Sequence, residues 1–128
     1  KVGDMPAQKI LIIEPDAMQR DLMQLALQRS GYEVLCVEAE EIHTKLSQMR
    51  PALLAVNIFL PRLNGLDLLR QLRKDGVLIG VKVVVISSMA FKEIVQQAAT
   101  LGVDDFLMKP FDAEVMLARF QKLLKSAD

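Results

Sequence analysis

Apolar positions recur along the chain in five short unbroken runs, each of strand length: Ile10-Leu11-Ile12-Ile13, Val34-Leu35-Cys36-Val37, Leu53-Leu54-Ala55-Val56, Val83-Val84-Val85-Ile86 and Phe106-Leu107-Met108. Because these runs do not alternate with polar residues, they suit strands covered on both faces, as in a parallel sheet between two helix layers. The intervening segments carry helical periods. Asp16 is positioned to cap a first helix, with Gln19 completing a capping box, Met18, Leu22, Leu25 and Ala26 as its buried face and Gly31 as its stop. Ile42, Leu46 and Met49 mark a second helix that ends before Pro51, and Asn64 with Asp67 opens a third carrying Leu68, Leu69 and Leu72. A fourth is expected from about Phe91 to Leu101, and a fifth from Asp112 with Val115, Met116, Phe120, Leu123 and Leu124. Strict β-α alternation with short connections predicts a doubly wound α/β domain of five parallel strands over residues 9–125, after a loose leader at 1–8 and before a tail at 126–128.

At 128 residues the chain has the length of one domain, and an apolar content of 52% is enough for a core. Sixteen basic and sixteen acidic side chains cancel, and no Lys/Arg run occurs, so direct nucleic-acid binding and attachment to anionic lipid are not expected. No apolar stretch approaches a membrane span. The single Cys36 cannot form an internal disulfide, which fits a cytoplasmic location, and reads as a small hydrophobe in its strand.

Right-handed crossovers bring the carboxyl ends of the strands to one edge, where doubly wound folds place their sites. Glu14, Asn57, Ser87 and Lys109 follow four of the strands. Each also has a bland use. Glu14 and Asp16 complement a helix N-terminus, Asn57 satisfies loop backbone and Ser87 caps the fourth helix. Lys109, between Met108 and Pro110, calls for a nearby anion or carbonyl.

Four segments carry a resemblance: Lys9–Asp16 (KILIIEPD), Pro51–Gly65 (PALLAVNIFLPRLNG), Val83–Ser87 (VVVIS) and Gly102–Phe111 (GVDDFLMKPF). With these, residues 9–125 resemble the receiver domain of two-component response regulators. The resemblance implies a flavodoxin-like fold with strand order 2-1-3-4-5 and five helices. It also implies transfer of a phosphoryl group from a histidine kinase to an aspartate after the third strand, with Mg²⁺ held by that aspartate and an acidic pair after the first strand. Hard oxygen ligands suit the ion, and a lysine and a hydroxyl, here Lys109 and Ser87, stabilise the phosphoryl charge. Lys109–Pro110 is expected to be cis.

Two positions depart from that pattern. Asn57 stands at the phosphoacceptor position, where a neutral amide is too weak a nucleophile, and Glu14 is followed by Pro15, which has no side-chain ligand. Losing two charges ~4 Å from a divalent ion forfeits several kcal/mol even at an effective dielectric of ~20. Mg²⁺ binding is therefore expected to be weak or absent, with no cofactor and no catalytic residue. The chain reads as a degenerate pseudo-receiver, a non-enzymatic module binding a protein partner or output domain of its pathway independently of phosphorylation. Two other readings stay open: phosphorylation at an unconventional residue such as Ser87 or Ser88, and a small ligand at the strand ends.

The resemblance places a switch aromatic at Phe106 and an interaction face on the fourth helix, fifth strand and fifth helix. At ~100° per residue, Phe91, Ile94, Val95, Ala98, Ala99 and Leu101 sweep roughly 160°, wider than a one-sided surface helix needs. Val95 and Ala99 form the surplus, so a partner surface is expected there. Asp104, Asp105 and Arg119 match charged positions of receiver dimers, which adds a homodimer through this face to the expected partners. His43, on the polar side of the second helix, reads as a solvated histidine.

Overall fold

The computed structural model describes residues 6–125. Five strands, β1 (Lys9–Ile13), β2 (Glu33–Cys36), β3 (Leu53–Asn57), β4 (Lys82–Ser87) and β5 (Asp105–Met108), form one parallel sheet in the order β2-β1-β3-β4-β5. Five α-helices connect them: α1 (Ala17–Arg29), α2 (Ile42–Met49), α3 (Gly65–Lys74), α4 (Lys92–Thr100) and α5 (Ala113–Lys125), with a 3₁₀ turn at Ala39–Glu41 leading into α2. The expected doubly wound fold and strand order are both present. The ends of the chain at 1–5 and 126–128, where leader and tail were expected, lie outside the described residues. Of the remaining leader positions, Gln8 lends its carbonyl to the Glu33 N–H.

Alternate residues of each central strand feed opposite layers. Leu11, Ile13, Leu54, Val56, Val83 and Val85 pack under α2, α3 and α4, whereas Ile10, Ile12, Leu53, Ala55, Val84 and Ile86 pack under α1 and α5. Coverage on both faces holds for β1, β3 and β4. At the two edges it does not: Leu35 and Met108 are exposed and Cys36 is only half-buried. An edge strand has a neighbour on one side only, so the outer layer of helices does not reach across it.

Helix α1 departs most from expectation. Its buried residues are Met23 and Leu27, with Ala26 half-buried, while Met18, Leu22 and Leu25 point to solvent. Asp16 does cap the helix, accepting from the Gln19 N–H at 3.1 Å. The reciprocal half of the capping box is replaced, because the Asp16 N–H donates to the Glu14 carboxylate at 3.0 Å. In α5, Val115 is likewise exposed, and Met116, Phe120 and Leu124 form the inner face.

Candidate functional site

Parallel register assembles the strand-end residues. Ile13 pairs with Val56, so Glu14 emerges beside Asn57; Asn57 pairs with Ile86, and Ser87 pairs with Met108, so Lys109 follows alongside. The Lys109 N–H donates to the Ser87 carbonyl at 2.8 Å, and the Lys109–Pro110 peptide is cis, as expected.

Three of the four polar residues meet. The Glu14 side chain is fully buried, and its carboxylate receives the Lys109 ammonium at 2.6 Å. The Asn57 amide Nδ2 also donates to it, at 3.1 and 3.2 Å to the two oxygens, as does the Asp16 N–H. The other end of the Asn57 amide accepts from the Phe59 N–H at 2.8 Å. A fully buried negative charge is thus paired with a largely buried positive one, with both polar ends of the amide used. Such satisfaction is what keeps a buried ion pair tolerable.

Ser87 does not join them. It is fully buried, but its hydroxyl donates to the Met89 carbonyl at 2.7 Å and accepts from the Met89 N–H at 2.9 Å. A short side chain at the end of β4 finds local backbone before it reaches across the sheet, as serine commonly does in turns. The expected convergence of four groups is therefore a cluster of three with a separate turn.

The donor set does not suit Mg²⁺. The single carboxylate facing the centre already receives an ammonium, an amide and a backbone N–H, and the carboxylate of Asp16 faces the first turn of α1. Pro15 supplies no ligand, and among the described residues no group of three or more His, Cys, Asp or Glu side chains could hold a metal ion.

The loop after β3 is held close to this cluster by Gly65. Its N–H donates to the Ile58 carbonyl, and a Cβ built there lies 2.7 Å from both the Asn57 carbonyl oxygen and Ile58 Cα. Asn64 caps α3 by accepting from the Leu66 N–H at 2.7 Å. The sequence assigns Asn64 to the opening of the helix and gives Gly65 only as the end of a resembling segment, although an Asn-Gly pair is a turn signal. A cleft of about 310 Å³ opens beside the cluster, between Pro15, Val37, Glu38, Leu60, Arg62 and Leu63 of the three neighbouring loops.

On the other residues singled out, Phe91 and Val95 are 61% and 40% exposed, and Phe106 is half-buried against the α2–α4 layer. Arg119 on α5 lies 3.6 Å from Asp105 and donates to the Phe106 carbonyl. Asp104 has a different role from a free surface charge, since its carboxylate accepts from the Val83 N–H at 2.8 Å and secures the start of β4. His43 is exposed with its Nε2 3.4 Å from an Asp75 oxygen. Arg73, which the sequence did not suggest, reaches from α3 to the carbonyls of Leu101 and Gly102, at 2.9 Å each, where α4 ends.

The model of the response regulator receiver domain family matches residues 10–121. The chain belongs to that family. It is 28% identical to the phosphate regulon transcriptional regulatory protein PhoB of Pseudomonas aeruginosa, over 94% of this chain and 53% of that protein. It is 32% identical to the DNA-binding dual master transcriptional regulator RpaA of Synechocystis, over 94% of this chain and 50% of that one. The chain thus spans about half the length of these relatives. Among solved structures, a CheY-like receiver domain protein from Methanospirillum hungatei superposes with a TM-score of 0.88 at 26% identity, covering 95% of this chain and 97% of that one. The receiver is a module of two-component signalling, and among its described residues no helix is long and apolar enough to cross a membrane.

Proposed function

We propose that this receiver signals through protein–protein contact that does not depend on phosphorylation, and that it is a pseudo-receiver without enzymatic activity. The observation that carries this reading is the closed cluster of Glu14, Asn57 and Lys109. The receiver's phosphoacceptor is a carboxylate nucleophile facing open space, whereas Asn57 is a neutral, non-nucleophilic amide with both ends engaged. A metal needs free carboxylates, and the ammonium of Lys109 already occupies the charge of Glu14. Phosphorylation at Ser87 is disfavoured by its full burial and its two bonds to Met89.

The contact surface in this reading is the face of α4, β5 and α5, with exposed Phe91 and Val95 beside Phe106, Asp105 and Arg119. The relatives' names describe transcriptional regulators about twice the length of this chain. The partner is accordingly an output domain or another protein of the same pathway in the cytoplasm, or a second copy on this face, rather than nucleic acid bound directly.

Treatment with a small-molecule phosphodonor and Mg²⁺, followed by intact-mass analysis, tests the central claim. No phosphoryl adduct is expected, and a labile adduct mapped to Asn57 overturns it. Asn57→Asp alone should be phosphorylated slowly or not at all, because Pro15 still withholds a ligand. Pro15→Asp should raise Mg²⁺ affinity far more in the Asn57→Asp background than alone, and additive effects would show that the lesion lies elsewhere.

A further inference from the structure

Helix α1 carries two apolar stripes and uses only one. Met23 and Leu27 are buried against the sheet, whereas Met18, Leu22 and Leu25, spaced i, i+4, i+7, are 83%, 42% and 50% exposed. Single surface leucines are ordinary; three large apolar side chains aligned on one helix are a patch. This patch is separate from Val95, because α1 packs on one face of the sheet and α4 on the other.

Charge placement around the patch says what fits it. At ~100° per residue, Leu25 lies roughly 180° from the midpoint of Met23 and Leu27, so it points most directly away from the sheet. Asp21 and Arg29 stand four residues before and after it, about 6 Å away along the axis in each direction. Both are exposed, and neither forms an ion pair among the described residues. A second α1 laid antiparallel about a two-fold axis through Leu25 meets this one with Asp21 opposite Arg29 twice over, while leucine packs on leucine at the centre. Such a face is complementary to itself, which is the requirement of a two-fold interface.

We propose that the outer face of α1 is a self-association surface whose occupant is the antiparallel α1 of a second copy of this chain. One helix pair buries less than a standard stable interface, so the dimer is weak, reversible and favoured by high local concentration. Together with the α4–β5–α5 face, it gives the module two independent contact surfaces. The inference does not rest on the proposed loss of phosphorylation, and its test involves neither phosphoryl chemistry nor the partner.

The test is sedimentation velocity over a wide concentration range, with thermal melts as a check on folding. The parent chain should dimerise reversibly, and Leu25→Glu, which places two carboxylates on the axis, should weaken association at least about tenfold. Asp21→Arg and Arg29→Asp should each weaken it alone, since like charges then face each other. An equimolar mixture of those two variants should associate again, because both cross-pairs become opposite in sign. A monomer at every concentration overturns the proposal, as does a dimer lost with Val95→Glu but not with Leu25→Glu. Failure of the charge variants to recover on mixing also overturns it and points to a helix of another protein as the occupant.

Discussion

The Glu14 carboxylate is the residue on which the strand-end cluster depends, since it is the common acceptor for Lys109, Asn57 and Asp16. Removing only the cation, as in Lys109→Met, leaves a buried charge without its partner and is expected to cost about 3–5 kcal/mol. Adding Glu14→Gln should recover much of that loss. Chemical denaturation of the two single variants and the double variant checks this, and a Lys109→Met cost below about 1 kcal/mol would sink the idea that the pair is buried and coupled. Cys36 shows a milder effect of burial. Desolvation pushes its thiol above the ordinary range, with the Arg20 charge opposing and the Asp21 charge adding to the shift. Because the thiolate is the reactive form, alkylation should be slower than for a free thiol near neutral pH and should accelerate only as pH rises above the usual thiol range. The same sign makes the group mildly destabilising at high pH, where the unfolded chain ionises first. Labelling that is already fast and pH-independent at neutrality would contradict this.

Helix α3 supplies the cap that ends α4. The end of α4 exposes carbonyls where Gly102 turns at φ +73°, and the guanidinium of Arg73 lies against that glycine while bonding to Leu101 and Gly102. A cation at a helix C-terminus is favoured by the backbone dipole as well as by the hydrogen bonds. Arg73→Ala should therefore cost about 1–2 kcal/mol. Hydrogen exchange should quicken first in the last turn of α4 and the approach to β5. If protection is lost evenly across the sheet instead, Arg73 is not acting as a local cap.

Among the described residues, the side chains of Glu14, Asn57 and Lys109 bond to one another and those of Asp105 and Arg119 pair separately on the α4–β5–α5 face, so stability and recognition should separate on mutation. Val95→Glu adds a charge to an exposed helix position and should leave the melting temperature nearly unchanged while weakening partner binding by about 1–3 kcal/mol. Lys109→Ala should do the reverse, lowering stability with little effect on affinity. Calorimetric titration with the partner, alongside thermal melts, reads both quantities. A larger affinity loss from Lys109→Ala than from Val95→Glu would return the functional site to the strand ends.

The order of apolar runs and helical periods was sufficient for a doubly wound α/β domain, because five buried strand segments alternating with five amphipathic segments admit few compact arrangements, whereas the strand order 2-1-3-4-5 came from the family resemblance. Glu14, Asn57, Ser87 and Lys109 were legible for the same reason, since parallel strands bring all their carboxyl ends to one edge. Which of them touch was a matter of side-chain reach. Lys109 is long enough to cross to Glu14, whereas Ser87 turns back to Met89. The packing role of Gly65 and the capping role of Arg73 stayed hidden because their partners lie in other segments, at Asn57 and Ile58 for one and at Leu101 and Gly102 for the other. Helix α1 marks the limit most clearly. Met18, Leu22 and Leu25 repeat with helical spacing, and so do Met23 and Leu27, so periodicity alone offers two inner faces. Only docking between the sheet and α5 selects Met23 and Leu27, because a helix can turn just one side toward a core that other elements have already shaped.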